Sequence, residues 1–147
     1  MNEVRVAFLW HMHQPYYRDT VSGRIALPWV RMNGVSGYYD MVSLLKEHPG
    51  IHCTFNLVPS LLLQIQEFLS DPASDIYSNL SRIRSEQMTE DDKRFVLENF
   101  FRCSSSTMIE PYPRFHELFK KRNVAIRRHG LMEAVKEFND QEIRDIQ

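Results

Sequence analysis

The strongest pattern in the chain lies at its start, where every second residue from Val4 to Met12 is apolar. Val4, Val6, Phe8, Trp10 and Met12 alternate with Arg5, Ala7, Leu9, His11 and His13. A strand here presents a uniformly apolar even face and an odd face that is small in the middle and ends in two imidazoles. The even face requires a helix layer, whereas the odd face suits a side of a sheet that opens into a site. Pro15 has no N–H to give and stops the ladder. If this strand runs parallel to its neighbours, His11 and His13 stand at its carboxyl end, where α/β proteins place their ligands.

The pattern downstream predicts a βαβ unit followed by helices. Residues 14 to 33, with Gln14-Pro15, Ser22-Gly23 and Leu27-Pro28-Trp29, read as a loop too long for a routine βα connection. From Gly34 to Glu47 the positions Val35, Tyr38, Tyr39, Val42 and Leu45 fall at helical spacing, and His48-Pro49-Gly50 supplies a stop. Ile51 to Val58 alternates again, which predicts a second strand, parallel to the first, with Asn56 near His11 and His13. Pro59-Ser60 opens a helix with Leu61, Leu62, Ile65, Phe68 and Leu69 on one stripe, closed by Asp71-Pro72. Residues 71 to 88 are polar and serine-rich. Thr89 with Asp92 is a capping-box pattern before a helix to about Arg102, and Asn139 with Glu142 starts another near the end. Between them Pro111-Tyr112-Pro113 leads into a helix over 113 to 122, whose basic residues Lys120, Lys121 and Arg122, with Arg127 and Arg128 beyond, read as a helix end and a solvated loop. Two strands and about five helices make an α/β chain whose parallel pair lacks a sheet to join, so residues 1–147 are expected to be the front of something larger.

Composition narrows the partners. With 147 residues, 43% of them apolar, length suggests one core. A net charge of -1 and a pI near 6.6 argue against nucleic acid or an anionic membrane as partner. No apolar run reaches membrane-spanning length and no signal-peptide core follows Arg5, which predicts a cytoplasmic protein. Cys53 and Cys103 lack metal or disulfide-framework spacing and are expected to be reduced. Trp10, Tyr16, Tyr17, Trp29, Tyr38 and Tyr39 crowd the first part of the chain; such rings fill cores, and sugar faces also stack on them.

The histidine pair leaves three chemistries open. An i, i+2 pair on a first strand begins many metal sites, and it also suits hydrogen bonds to sugar hydroxyls or a strand end with no ligand at all. No metal-like spacing links His48, His52, His116 or His129 to the pair. Ser104-Ser105-Ser106 lies outside any nucleophile elbow, no phosphate loop is present, and the acidic residues are placed as helix caps and faces.

Phe8 to Tyr17, with His13-Gln14-Pro15, resembles the first signature region of glycoside hydrolase family 57, the α-amylase and 4-α-glucanotransferase type. The likeness continues through Leu27-Pro28-Trp29-Val30-Arg31, Tyr38-Tyr39-Asp40-Met41, Thr54 to Ser60, Met108-Ile109 with Pro111-Tyr112-Pro113-Arg114, and Ile143 to Gln147. Two positions depart from the family pattern: Asn33 stands where a His is usual, and Ser104-Ser105-Ser106 where Ala-Asn-Trp is usual. The resemblance implies the N-terminal part of an incomplete, seven-stranded (β/α) TIM-like barrel that cleaves or transfers α-glucosyl units with retention. It implies no cofactor and no metal, and a nucleophile Glu and acid Asp beyond Gln147, so that residues 1–147 alone would be inactive. On this reading His11, His13, Gln14 and Asn56 line the donor-sugar subsite with Trp10 and Trp29 nearby, and the partner is an α-glucan or oligosaccharide. The alternatives are a metal-dependent hydrolase or deacetylase using His11 and His13, and a non-catalytic carbohydrate-binding fragment.

Overall fold

The computed structural model describes residues 4–147. Where length suggested one core, the chain packs as two compact units, Met1–Ile76 and Tyr77–Gln147.

The first unit is the expected βαβ arrangement followed by a helix: β1 (Leu9–Met12), α1 (Trp29–Asn33), α2 (Tyr39–Glu47), β2 (Thr54–Leu57) and α3 (Pro59–Ser70). The strands are parallel, with Leu9 opposite Thr54, Trp10 opposite Phe55, His11 opposite Asn56 and Met12 opposite Leu57. Both are shorter than the alternation predicts. A ladder extends only as far as both strands stay in step, and here it runs from Thr54 N–H donating to Phe8 C=O (2.9 Å) to Val58 N–H donating to Met12 C=O (3.3 Å). Val4 and Val6 lie outside it, 83% and 71% exposed.

Burial concentrates at the carboxyl end of the pair. Met12, Val30 and Leu61 are buried there, with Tyr17, Tyr38, Met41, Phe55, Val58 and Ile65 packed around them. The even face of β1 is therefore covered at Met12 only. Phe8 and Trp10 instead line an open cavity of about 340 Å³ with Met41, Leu44, Leu45 and Phe55.

The loop after β1 ends at Pro28, because helical structure begins at Trp29 rather than at Gly34. Val30 is drawn into the core and Arg31 Nε donates to the buried Asp75 carboxylate at 2.9 Å, which fixes this turn. A π-turn over Gly34–Tyr38 joins α1 to α2. Its wider turn adds one residue, which shifts the phase of the downstream helix by about 100°. Of the five positions expected to face inward, Val35, Tyr39 and Val42 are exposed, Tyr38 packs on the core as expected and Leu45 is half-buried, while Met41, outside that spacing, also packs on the core. The stripe on α3 holds in part: Leu61 is buried, Ile65 packs on the core and Phe68 is half-buried, while Leu62 and Leu69 are exposed and the polar Gln64 is buried.

The second unit is helical: α4 (Ile76–Leu80), which begins at the boundary, α5 (Glu90–Asn99), α6 (Pro113–Ala134) and α7 (Asp140–Ile146). Both predicted capping boxes form. The Thr89 hydroxyl accepts from Asp92 N–H and the Asn139 side chain from Glu142 N–H, with the reciprocal bonds present. Leu97, Ile109, Leu118 and Ile143 are fully buried, and Phe101 stacks on Phe115 at 4.7 Å between centroids. Residues 71 to 88, polar and serine-rich, are partly helical and partly buried. They hold 3-10 turns at Pro72–Ser74 and Ser85–Gln87 and helix α4, with Ser74, Asp75, Ser78 and Ser85 buried. Small polar side chains conceal burial from any hydropathy pattern.

Helix α6 runs twelve residues past its expected end near 122, and its path breaks at Gly130, whose φ of 75° is open to glycine at little cost. The basic run is thus helix rather than loop. Lys121 Nζ pairs with Glu142 at 2.6 Å, and Arg122 Nε donates to Leu97 C=O. The described residues hold seven α-helices where about five were expected. Cys53 and Cys103 are free thiols.

Candidate substrate-binding site

The predicted pair is assembled at the carboxyl end of the sheet. His11 and His13 share the odd face of β1, so their rings lie one above the other, 5.7 Å apart and 13° from parallel. Both are exposed. The register puts Asn56 directly beside His11. Two imidazoles and a carboxamide therefore point the same way from adjacent strands into open space, a set that offers both donors and acceptors to hydroxyl groups.

The remaining predicted residues are not all brought to that spot. Gln14 is adjacent, but its side chain is engaged: Nε2 donates to Tyr38 Oη at 2.9 Å, and Oε1 accepts from Tyr17 Oη at 3.1 Å. Trp10 projects from the opposite face of β1 into the cavity beside α2. Trp29 opens α1, where its carbonyl accepts from Asn33 Nδ2 at 2.8 Å.

The segment after His13 is held by residues that the apolar pattern did not single out. Ser60, Gln64, Glu67 and Asp71 follow one another at i, i+4, i+7 and i+11, a polar stripe along one side of α3 and just past its end. Ser60 Oγ donates to Gln14 C=O at 2.8 Å. Gln64, 4% exposed, accepts from Tyr17 N–H at 2.7 Å and donates to Pro15 C=O at 2.8 Å. Glu67 accepts from the Tyr16 hydroxyl at 2.7 Å, and Asp71 meets Arg18 at 3.4 Å. The bond to Glu67, then partial desolvation and the same negative charge, push the Tyr16 phenol above its ordinary value. Farther on, Asp19 caps a turn: the Ser22 hydroxyl and the Val21 and Ser22 N–H groups bond its carboxylate and hold it below the usual carboxylate range. Gly23, at φ 70°, closes that turn with its N–H on Asp19 C=O. The repeat of Ser, Gln, Glu and Asp along one helix side was the sequence signal for this strap.

Among the described residues of the first unit, four carboxylates have structural partners and two are exposed. Glu67 and Asp71 serve the strap, Asp19 its turn, Asp75 the ion pair with Arg31, and Asp40 and Glu47 lie on exposed positions of α2. Among the described residues no group of three His, Cys, Asp or Glu side chains is arranged to hold a metal ion. No helix among them is long and apolar enough to cross a membrane.

A parallel βαβ unit followed by helices defines an α/β chain, and α/β proteins place their ligands at the carboxyl ends of such strands, where the exposed histidines stand. Residues 7–143 match the model of glycosyl hydrolase family 57, and the chain belongs to that family. Family membership gives the coarse class of activity, glycoside hydrolysis, with carbohydrate as the substrate class. Searches of curated proteins and of solved structures returned no match.

Proposed function

We propose that this chain forms the first part of the catalytic barrel of a retaining α-glucan hydrolase or glucanotransferase, and that it supplies a sugar-binding wall rather than the reacting carboxyl pair. The observation that carries the reading is the convergence of His11, His13 and Asn56 at the carboxyl end of a parallel pair in a family 57 chain. The odd face they occupy is the one a barrel would enclose. Their donors and acceptors match the hydroxyls of a glucosyl unit, with Gln14 bracing the histidines' strand end and Trp29 at the head of the next helix. Retaining cleavage needs two carboxyl groups about 5 Å apart. Because Asp19, Glu67, Asp71 and Asp75 already serve a turn, the strap and an ion pair, and the family resemblance places the reacting carboxyl groups later in the fold, the reading assigns nucleophile and acid to residues outside 1–147. It also makes the working protein cytoplasmic and free of metal and cofactor.

Calorimetric titration of the chain with maltoheptaose tests this. His13→Ala is expected to weaken binding about tenfold, the loss of one or two good hydrogen bonds, with an unchanged melting temperature. Equal affinity in the two proteins, or a melting temperature lowered by many degrees with affinity intact, would make His13 a structural strand-end residue and remove the basis for the proposal.

A further inference from the structure

We infer that Gln64 is a positioning residue: from α3 it locks the backbone of Pro15 to Tyr17 and thereby sets the placement of His13 and Gln14 at the strand end. The inference rests on the sugar-binding reading above for its purpose but not for its geometry.

A chain leaving a strand at a proline is free of the ladder and has no regular structure to satisfy its polar groups. Here three successive needs are met from one helix. Gln14 C=O accepts from Ser60 Oγ, Pro15 C=O accepts from Gln64 Nε2, and Tyr17 N–H donates to Gln64 Oε1. Gln64 Nε2 also donates to its own helix at Ser60 C=O, at 2.9 Å, so both amide hydrogens and the oxygen are committed in one orientation. The amide is nearly buried, which makes each of these bonds costly to leave unmade. The effect reaches the site through two short paths. Tyr17, once its backbone is fixed, gives its hydroxyl to Gln14 Oε1, and Gln14 Nε2 holds Tyr38, whose hydroxyl lies 3.4 Å from His13 C=O. The His13 side chain itself is exposed. Its direction therefore depends on how firmly its own backbone and the next four residues are held.

The experiment compares Gln64→Met, which keeps the shape and removes the polar atoms, with Gln66→Met, an exposed neighbour on the same helix, in the isotope-labelled chain. Gln64→Met is expected to speed hydrogen exchange at Tyr17 N–H about tenfold or more and to shift the His13 imidazole carbon–proton resonances, while Gln66→Met does neither. Ser60→Ala, which removes only the bond to Gln14 C=O, should move the same resonances less, and it serves if Gln64→Met does not fold. A lowered melting temperature with the His13 resonances and Tyr17 exchange unchanged would overturn the inference and leave Gln64 as a stability residue only. Maltoheptaose affinity is scored separately. Failure of the unsubstituted chain to bind it counts against the proposed function, whereas the His13 and Tyr17 signals alone decide the role of Gln64.

Discussion

The two units of this chain solve the problem of stability differently. In the first, Met12, Val30 and Leu61 are the buried apolar side chains among the described residues, and order in the long loop comes from polar bonds to α3 and from Arg31 with Asp75. In the second, apolar side chains from α4 to α7 and the turns between them are buried together, and both capping boxes are complete. The unit that carries the candidate site has the thinner core and exposes Phe8, Leu9, Trp10, Ile51 and Leu57 on its strands and their flanks. The difference teaches that a site at strand ends needs precise backbone placement more than bulk burial. Directional hydrogen bonds provide that placement where dispersion contacts, which are non-directional, do not.

The comparison can be broken most directly in the cores. Leu118 and Leu61 are both fully buried. Leu118→Ala should cost about 3 kcal/mol, because it sits in the unit with the larger set of buried apolar side chains, and Leu61→Ala nearer about 2 kcal/mol, because the partly buried side chains packed around it can close over the gap. Urea unfolding of each variant measures this, and a larger loss for Leu61 would reverse the ranking. A smaller effect is expected at the caps, where Thr89→Ala and Asn139→Ala should each cost about 1 kcal/mol and raise amide exchange in the first turn of α5 or α7 alone.

The smallest effect is one of pH. Burial acts to raise the Glu142 carboxyl, but the Lys121 ammonium and the Asn139 N–H outweigh it and hold it below its ordinary value. Asp145 is lowered by Arg114 and then Gln141. A carboxyl depressed in the folded state contributes fully above its unfolded value of about 4 and loses that contribution as pH falls through the folded value. Acid should therefore loosen the second unit below pH about 4. Glu142→Gln, which can still accept from Asn139 N–H, is expected to flatten that acid limb, read as melting temperature against pH.

The sequence by itself determined what depends on neighbours along the chain. Alternation from Phe8 to Met12 located β1, Pro59 located the start of α3, His48-Pro49-Gly50 located the end of α2, and the spacings of Thr89 with Asp92 and Asn139 with Glu142 located two helix starts. Each of these signals acts within a turn or a strand's length, and so each is readable without the fold. The stacking of His11 on His13 follows from the same period of two.

What only the tertiary structure decided involves partners far apart in sequence. The π-turn at Gly34–Tyr38 joins two helical segments so that Val30 before it and Tyr38 and Met41 at and after it all pack into the core around Met12 and Leu61. The period of two already separated Trp10 from the histidines, but that a cavity beside α2 would take the indole depended on the fold. Gln64 became the anchor of a segment nearly fifty residues earlier. A glutamine within a helix has no local preference that marks it for burial; it is buried here because a proline-bounded loop brought an unpaired carbonyl and an unpaired N–H to its side, and unpaired backbone groups are what a folded chain must satisfy.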